Sequence, residues 1–280
     1  MILNNNNFSV LPFYTEPDER NSEKWYVYGR KYPLYMMQNE CLPFQIIDTS
    51  AIVESDSQFT AMIYTPNGTL VRVIPYTQLR NYFAVKMLEE YAIIVCTGGD
   101  WLVHPAAGQT IGIPNGTYYM VIEEGQSGMR WYSDYFVYVN DVEPYLCIEW
   151  YDDSDLMMDA GTIVYTNPSF RNKLYLPSTI AKPNYNFEEE GETRDGYFFP
   201  IKQISSKQYR FTFLAPEYLL DVIRFVRLSE HINITYHGAT YPVDNILFSP
   251  EWESQGDLAA VTCEFDTATV VKKIGVGYVR

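Results

Sequence analysis

Apolar and polar positions alternate with a period of two along most of this chain, the spacing of half-buried β-strands. The runs "WYVYG", "PFQII", "YFAVKML" and "YAIIVCT" are short and rich in aromatic and β-branched residues, which suit a pleated surface. "QFTAMIYTPNGTLVRVI" reads as a hairpin, because Asn67-Gly68 supplies positive φ cheaply between two alternating runs. "IGIPNGTYYMVIEEG" gives a second hairpin signal and repeats the Pro-Asn-Gly-Thr turn, which "MRWYSDYFVYV" answers. Short strands at this spacing, joined by tight polar turns, predict a sandwich.

The texture changes near "NDVEPYL". After it come the strand "YLCIEWYD", the strands or edge segments "TIVYTN" and "FRNKLYL", then some twenty residues with little periodicity, "PSTIAKPNYNFEEEGETRDG", expected as a long loop. One amphipathic helix is expected over about 216–230. Pro216 suits its first turn, and Tyr218, Leu219, Val222, Ile223 and Val226 share a face at steps of three and four. A hairpin through His237-Gly238 follows. In the closing strand Ala259, Val261, Cys263 and Phe265 alternate with polar neighbours. The expected fold is mainly β: an N-terminal arm (1–24), an immunoglobulin-like β-sandwich (25–141), and a β-rich domain carrying the helix (142–280). Phe8, Val10, Leu11, Phe13 and Tyr14 favour docking of the arm over a free tail.

Composition sharpens this picture. The chain holds 25 Tyr, 15 Phe and 5 Trp among 280 residues, which agrees with sheet and also with interfaces. Its net charge of -15 argues against a nucleic-acid partner, whose phosphates demand a basic footprint. The four cysteines show no metal-ligand spacing and read as buried free thiols. The first residues lack the features of a secretory signal, and no apolar run is long enough for a membrane span; synthesis in the cytosol is expected.

Catalytic signatures are sparse. Counted from Asp153, "DDSDLMMDAG" puts Met157 and Met158 where a calcium loop needs a ligand and a glycine. His231 and His237 lack metal-pair spacing and read as surface or turn residues. Phosphate-binding loops, dinucleotide fingerprints and nucleophile elbows are missing. A glycosidase-type carboxylate pair could stand anywhere among 35 acidic residues. A non-enzymatic protein without cofactors is expected.

Two constellations suggest binding. In "FEEEGETRDGYFFP", Glu188, Glu189 and Glu190 precede Arg194 and Asp195; a bidentate carboxylate clamp on Arg194 would order an interface segment, and the alternative is a solvated acidic turn. The other set is Asp100 with Trp101, and Trp131 with Tyr132 and Asp134: aromatic faces beside carboxylates suit a glycan site, unless the tryptophans cover the core.

Three stretches carry a resemblance: "IPNGTYYMVIEEG" with "RWYSDYFVYVND", "NFEEEGETRDGYFFPIKQISSKQYRFTFLAPEYLLDVIRFVRLSEHI", and "EWESQGDLAAVTCEFDTATVVKKIG". They resemble uncharacterised bacteriophage and prophage virion structural proteins, over most of residues 40–275. The resemblance implies a tail or baseplate subunit that binds copies of itself and other virion proteins and resides in the virion. It brings no catalytic residues. On that reading Lys272 and Lys273, just past the last strand, would meet the Glu188–Glu190 region of a neighbour; the alternative is that they solubilise a sheet edge. Outside the virion reading, a carbohydrate-binding module for cell-surface attachment is the other function considered.

Overall fold

The computed structural model describes residues 9–15, 26–27, 30–31, 34–37, 40–89, 91–99, 113–141, 143–159, 163–252, 258–267 and 271–274. The protein is mainly β.

Up to residue 141 the strands are β1 (Phe13–Tyr14), β2 (Tyr26–Val27), β3 (Arg30–Lys31), β4 (Leu34–Met37), β5 (Phe44–Asp48), β6 (Phe59–Tyr64), β7 (Leu70–Ile74), β8 (Phe83–Met87), β9 (Ala92–Cys96), β10 (Gly116–Glu124), β11 (Arg130–Ser133) and β12 (Phe136–Val139), with one turn of helix, α1 (Tyr76–Leu79), between β7 and β8. Beyond it lie β13 (Leu146–Tyr151), β14 (Leu156–Asp159), β15 (Ile163–Thr166), β16 (Asn172–Leu176), β17 (Asn184–Arg194), β18 (Tyr197–Pro216), α2 (Glu217–Ile223), β19 (His231–Tyr236), β20 (Ala239–Trp252), β21 (Leu258–Thr267) and β22 (Val271–Ile274).

In the first part a branched sheet centres on β10, which pairs with β11, β12 and β6; β1, β7 and β4 extend it, β4 lying parallel to β12. A second sheet, β5-β9-β8, faces it. The two meet through aromatic rings, Phe13 on Phe44 at 4.3 Å and Phe59 on Phe83 at 5.5 Å between centroids. The expected hairpin at Asn67-Gly68 forms between β6 and β7, with Gly68 at φ 83°. The second Pro-Asn-Gly-Thr leads directly into β10, whose hairpin partner is β11, joined through residues 125–129. The docked reading of the arm holds where the arm is described; Phe8 lies outside the described residues. Val10, Leu11, Phe13 and Tyr14 are buried, β1 pairs with β11, and the Gln45 N–H donates to Ser9 Oγ at 2.9 Å.

In the second part an eight-stranded sheet runs β16-β13-β19-β20-β21-β18-β17, with β22 also on β18. Helix α2 buries Tyr218, Leu219, Val222 and Ile223. It ends at Ile223, well short of 230. A 3-10 turn, Val226–Leu228, replaces the expected last turns, and the Phe225, Leu228 and Ser229 N–H groups all bond three residues back. Val222, Ile223, Phe225 and Val226 are poor helix formers, yet all four are buried, so packing outweighs the α-ladder here. Of the segment expected as a long loop, residues 177–183 lie outside any strand, whereas 184–194 form β17, which Asp195 and Gly196 at φ 53° and 82°, a two-residue primed turn, join to β18.

No strand pairing among the described residues crosses residue 141. The core does cross it. One continuous buried cluster holds Phe13, Phe44 and Trp131 together with Trp150, Phe211 and Phe265. On the other face of β9, Ile93 and Val95 pack with Tyr165 and Phe170. Polar contacts add to this seam: Glu40 accepts from Lys173 and Tyr175, and the Tyr165 N–H donates to Gln45 Oε1 at 3.0 Å.

Candidate functional site

The feature that the core does not explain is the hairpin of β17 and the first half of β18. Its pairing runs from Asn184↔Gln208 to Arg194↔Tyr197, with a bulge at Glu190/Gly191. Every residue of β17 is exposed. Tyr197 is 72% exposed, and Phe187, Phe198, Phe199 and Ile201 are also exposed. Such side chains normally pull a strand onto a core. Here cross-strand pairing holds the ribbon instead: Lys202 bonds Glu190 at 3.3 Å, Gln203 donates to Glu189 at 2.6 Å, and the ring of Phe198 covers Gly191. The outer edge of β17 has no partner strand among the described residues.

The expected clamp on Arg194 is present, but its carboxylate is Glu192. Nε and Nη2 reach the two Glu192 oxygens at 3.0 and 2.7 Å. The hydrogen bond lowers the carboxyl pKa of Glu192 and raises the guanidinium pKa of Arg194. Asp195 occupies the turn itself. Lys272 and Lys273 lie in β22, where the backbone register sets them beside Ile204 and Gln203, whose other partners are Glu188 and Glu189. The lysines and the acidic strand are thus two strands apart in one chain.

At the root of this arm lies a cleft of about 480 Å³, lined by Tyr185, Ser205, Lys207, Tyr209, Thr240 and Tyr241, with Pro242 and Thr267. Its position follows from strand alternation. The face of β18 that is buried at Phe211 and Phe213 emerges at Tyr209 and continues as Lys207 and Ser205. Tyr209 is held between Phe265 and Tyr241, each with its ring centroid 5.3 Å away. The Lys207 ammonium stands 5.6 Å from the Tyr185 ring centroid.

The glycan set chosen from sequence fares differently. Asp100 and Trp101 lie outside the described residues. Trp131 is 2% exposed and belongs to the core, so it presents no face for a sugar. Asp134 is buried; its Oδ1 accepts the Tyr135 N–H at 2.7 Å, and its own N–H donates to Pro12 O at 2.9 Å. Tyr132 is half-buried, paired in register with Tyr14 and Val121.

One group of possible metal ligands occurs among the described residues. Asp153, Glu230 and His231 each place a ligand atom within 4.8 Å of the others. These groups already satisfy one another: His231 Nε2 bonds Asp153 Oδ1 at 2.8 Å, and the Asp153 N–H donates to Glu230 Oε2 at 2.8 Å. Sequence spacing missed the group because it joins the β13–β14 turn to the start of β19. No helix among the described residues is long and apolar enough to cross a membrane. The chain matches no protein-family model and no curated protein.

Proposed function

We propose that this chain is a non-enzymatic structural subunit of a phage tail or baseplate-like assembly. Its body, which we read as an immunoglobulin-like sandwich joined to a second β-rich unit, carries the β17–β18 arm, and the arm binds neighbouring subunits. One observation supports this reading above the others: an eleven-residue strand, exposed along its whole length, backed by exposed Phe198, Phe199 and Ile201. An unpaired edge of that length, with apolar rings beside it, is what proteins blunt unless another chain is to cover it. Addition of a neighbour's strand would satisfy the free backbone groups, and the rings would supply buried area. The virion setting rests on the sequence resemblance.

The test compares the full chain with a variant in which residues 188–204 are replaced by Asn-Gly, closing the hairpin at Phe187 and Ser205. Light scattering after size exclusion should give a closed oligomer for the full chain and a folded monomer for the shortened one. Equal assembly of both, or a full chain that stays monomeric alone and with its candidate virion partners, would remove the arm from this role.

A further inference from the structure

We propose that the tyrosine-lined cleft at the root of the arm binds a saccharide carrying an anionic substituent. The inference stands apart from the assembly reading, since it uses the root of the arm and not its edge or tip.

The volume of about 480 Å³ lies within the range of small-ligand clefts. Its chemistry narrows the ligand. Tyr185, Tyr209 and Tyr241 offer apolar ring faces with polar tips. A pyranose has the same division, an apolar C–H face rimmed by hydroxyls. Ser205, Thr240 and Thr267 add neutral groups that both donate and accept hydrogen bonds, which matches a polyol. The Thr240 hydroxyl already bonds Thr235 Oγ1 at 3.0 Å; a purely apolar ligand would leave the Ser205 and Thr267 hydroxyls unpaired. Tyr209 is preset by its neighbours Phe265 and Tyr241, so little order is lost there on binding.

Charge adds the anion. The chain carries 35 Asp and Glu, yet none of those among the described residues lines the cleft, and Lys207 is the single ionic side chain of its described lining. In a protein of net charge -15, a described lining that holds one ammonium and no carboxylate is complementary to a lone carboxylate or phosphate. A polyanion such as nucleic acid would meet one cation and a repelling body.

The test begins with an array of neutral, carboxylated and phosphorylated glycans probed with the full chain. Carboxylated or phosphorylated sugars should bind, and the two sets show which anion is preferred. Calorimetry with the strongest binder then follows in Tyr185→Ala and Lys207→Gln, both at exposed positions. Each should weaken binding about tenfold or more, with unchanged molar mass and melting temperature, while Lys207→Arg retains it. Binding by neutral glycans alone, no binding on the array, or full affinity in both variants would overturn the assignment.

Discussion

The ring of Phe198 occupies the space where any side chain at Gly191 would begin: a β-carbon there would stand 2.7 Å from Phe198 Cζ and 2.3 Å from the Phe199 carbonyl oxygen. Gly191 holds none of the left-handed φ that glycine alone tolerates, so the requirement is for room. Gly191→Ala should therefore open the ribbon at its bulge, at a local cost of about 1–3 kcal/mol. Hydrogen exchange should show faster exchange over 188–202, while the melting temperature of the body stays within about 2 °C. Unchanged exchange in the arm would show that the bulge can absorb a methyl group.

Glu124 closes the β10–β11 turn from a buried position. Its Oε2 accepts the N–H groups of Gln126 and Ser127 at 2.9 and 2.6 Å and the Ser127 hydroxyl at 2.7 Å. Burial pushes its pKa up, but the Ser127 and Gln126 bonds outweigh burial and leave it lowered. A carboxyl lowered in the folded state contributes stability above its unfolded value of about 4.3, and that share is lost as pH falls through the folded value. Glu124→Gln should cost about 1–3 kcal/mol at pH 7. The deficit should shrink toward pH 3 in urea titrations.

Asp266 should behave in the opposite sense. Burial, with Asp244 and Glu264 close by, raises its pKa. An acid raised in the folded state weakens the fold when ionised, so its protonation favours folding as pH drops. Asp266→Asn should stabilise the protein at pH 7 by less than about 1 kcal/mol, and the gain should vanish in acid. A loss of stability at pH 7 would mean that the carboxylate has a favourable role.

The thiols give a direct check of packing. Cys41, Cys96 and Cys263 are buried and Cys147 half-buried. Burial pushes the Cys147 thiol up to about 12, with Lys173 pulling against it and Glu40 and Glu149 adding to it. Burial also raises Cys41 and Cys263. At pH 8 a thiol-reactive dye should label none of the four quickly in the folded protein and all four in guanidinium. Fast labelling at Cys147 in the native state would mean that the seam around Glu40, Lys173 and Tyr175 opens.

Sequence pattern reveals strands wherever one face is buried. Alternation in "LAAVTCEF" marks β21 because Ala259, Val261, Cys263 and Phe265 face the core. β17 escapes the same reading because it has no buried face; its Glu188-Glu189-Glu190 run carries no alternation to detect. The Asp195-Gly196 pair before the β-rich "YFF" was the usable signal, a hairpin turn. Glycan-type composition around Trp131 misled for a related reason: local sequence lists the groups but does not say which way a ring points, and here the strand turns it inward. The cleft draws on β17, β18, β20 and β21, so only the sheet's register could assemble it.

β18 runs unbroken for 20 residues, about 65 Å when extended, from the turn at Tyr197 to the body at Pro216. Its far half is laced to β21 from Gln208 to Pro216. Mechanically this makes the arm a stiff lever with no joint at its base. A pull on the tip along the strand loads the β18–β21 hydrogen bonds together, in shear, so they must fail as a group and cannot unzip singly. Traction at the periphery is delivered straight into the packed interior at Phe211 and Phe213.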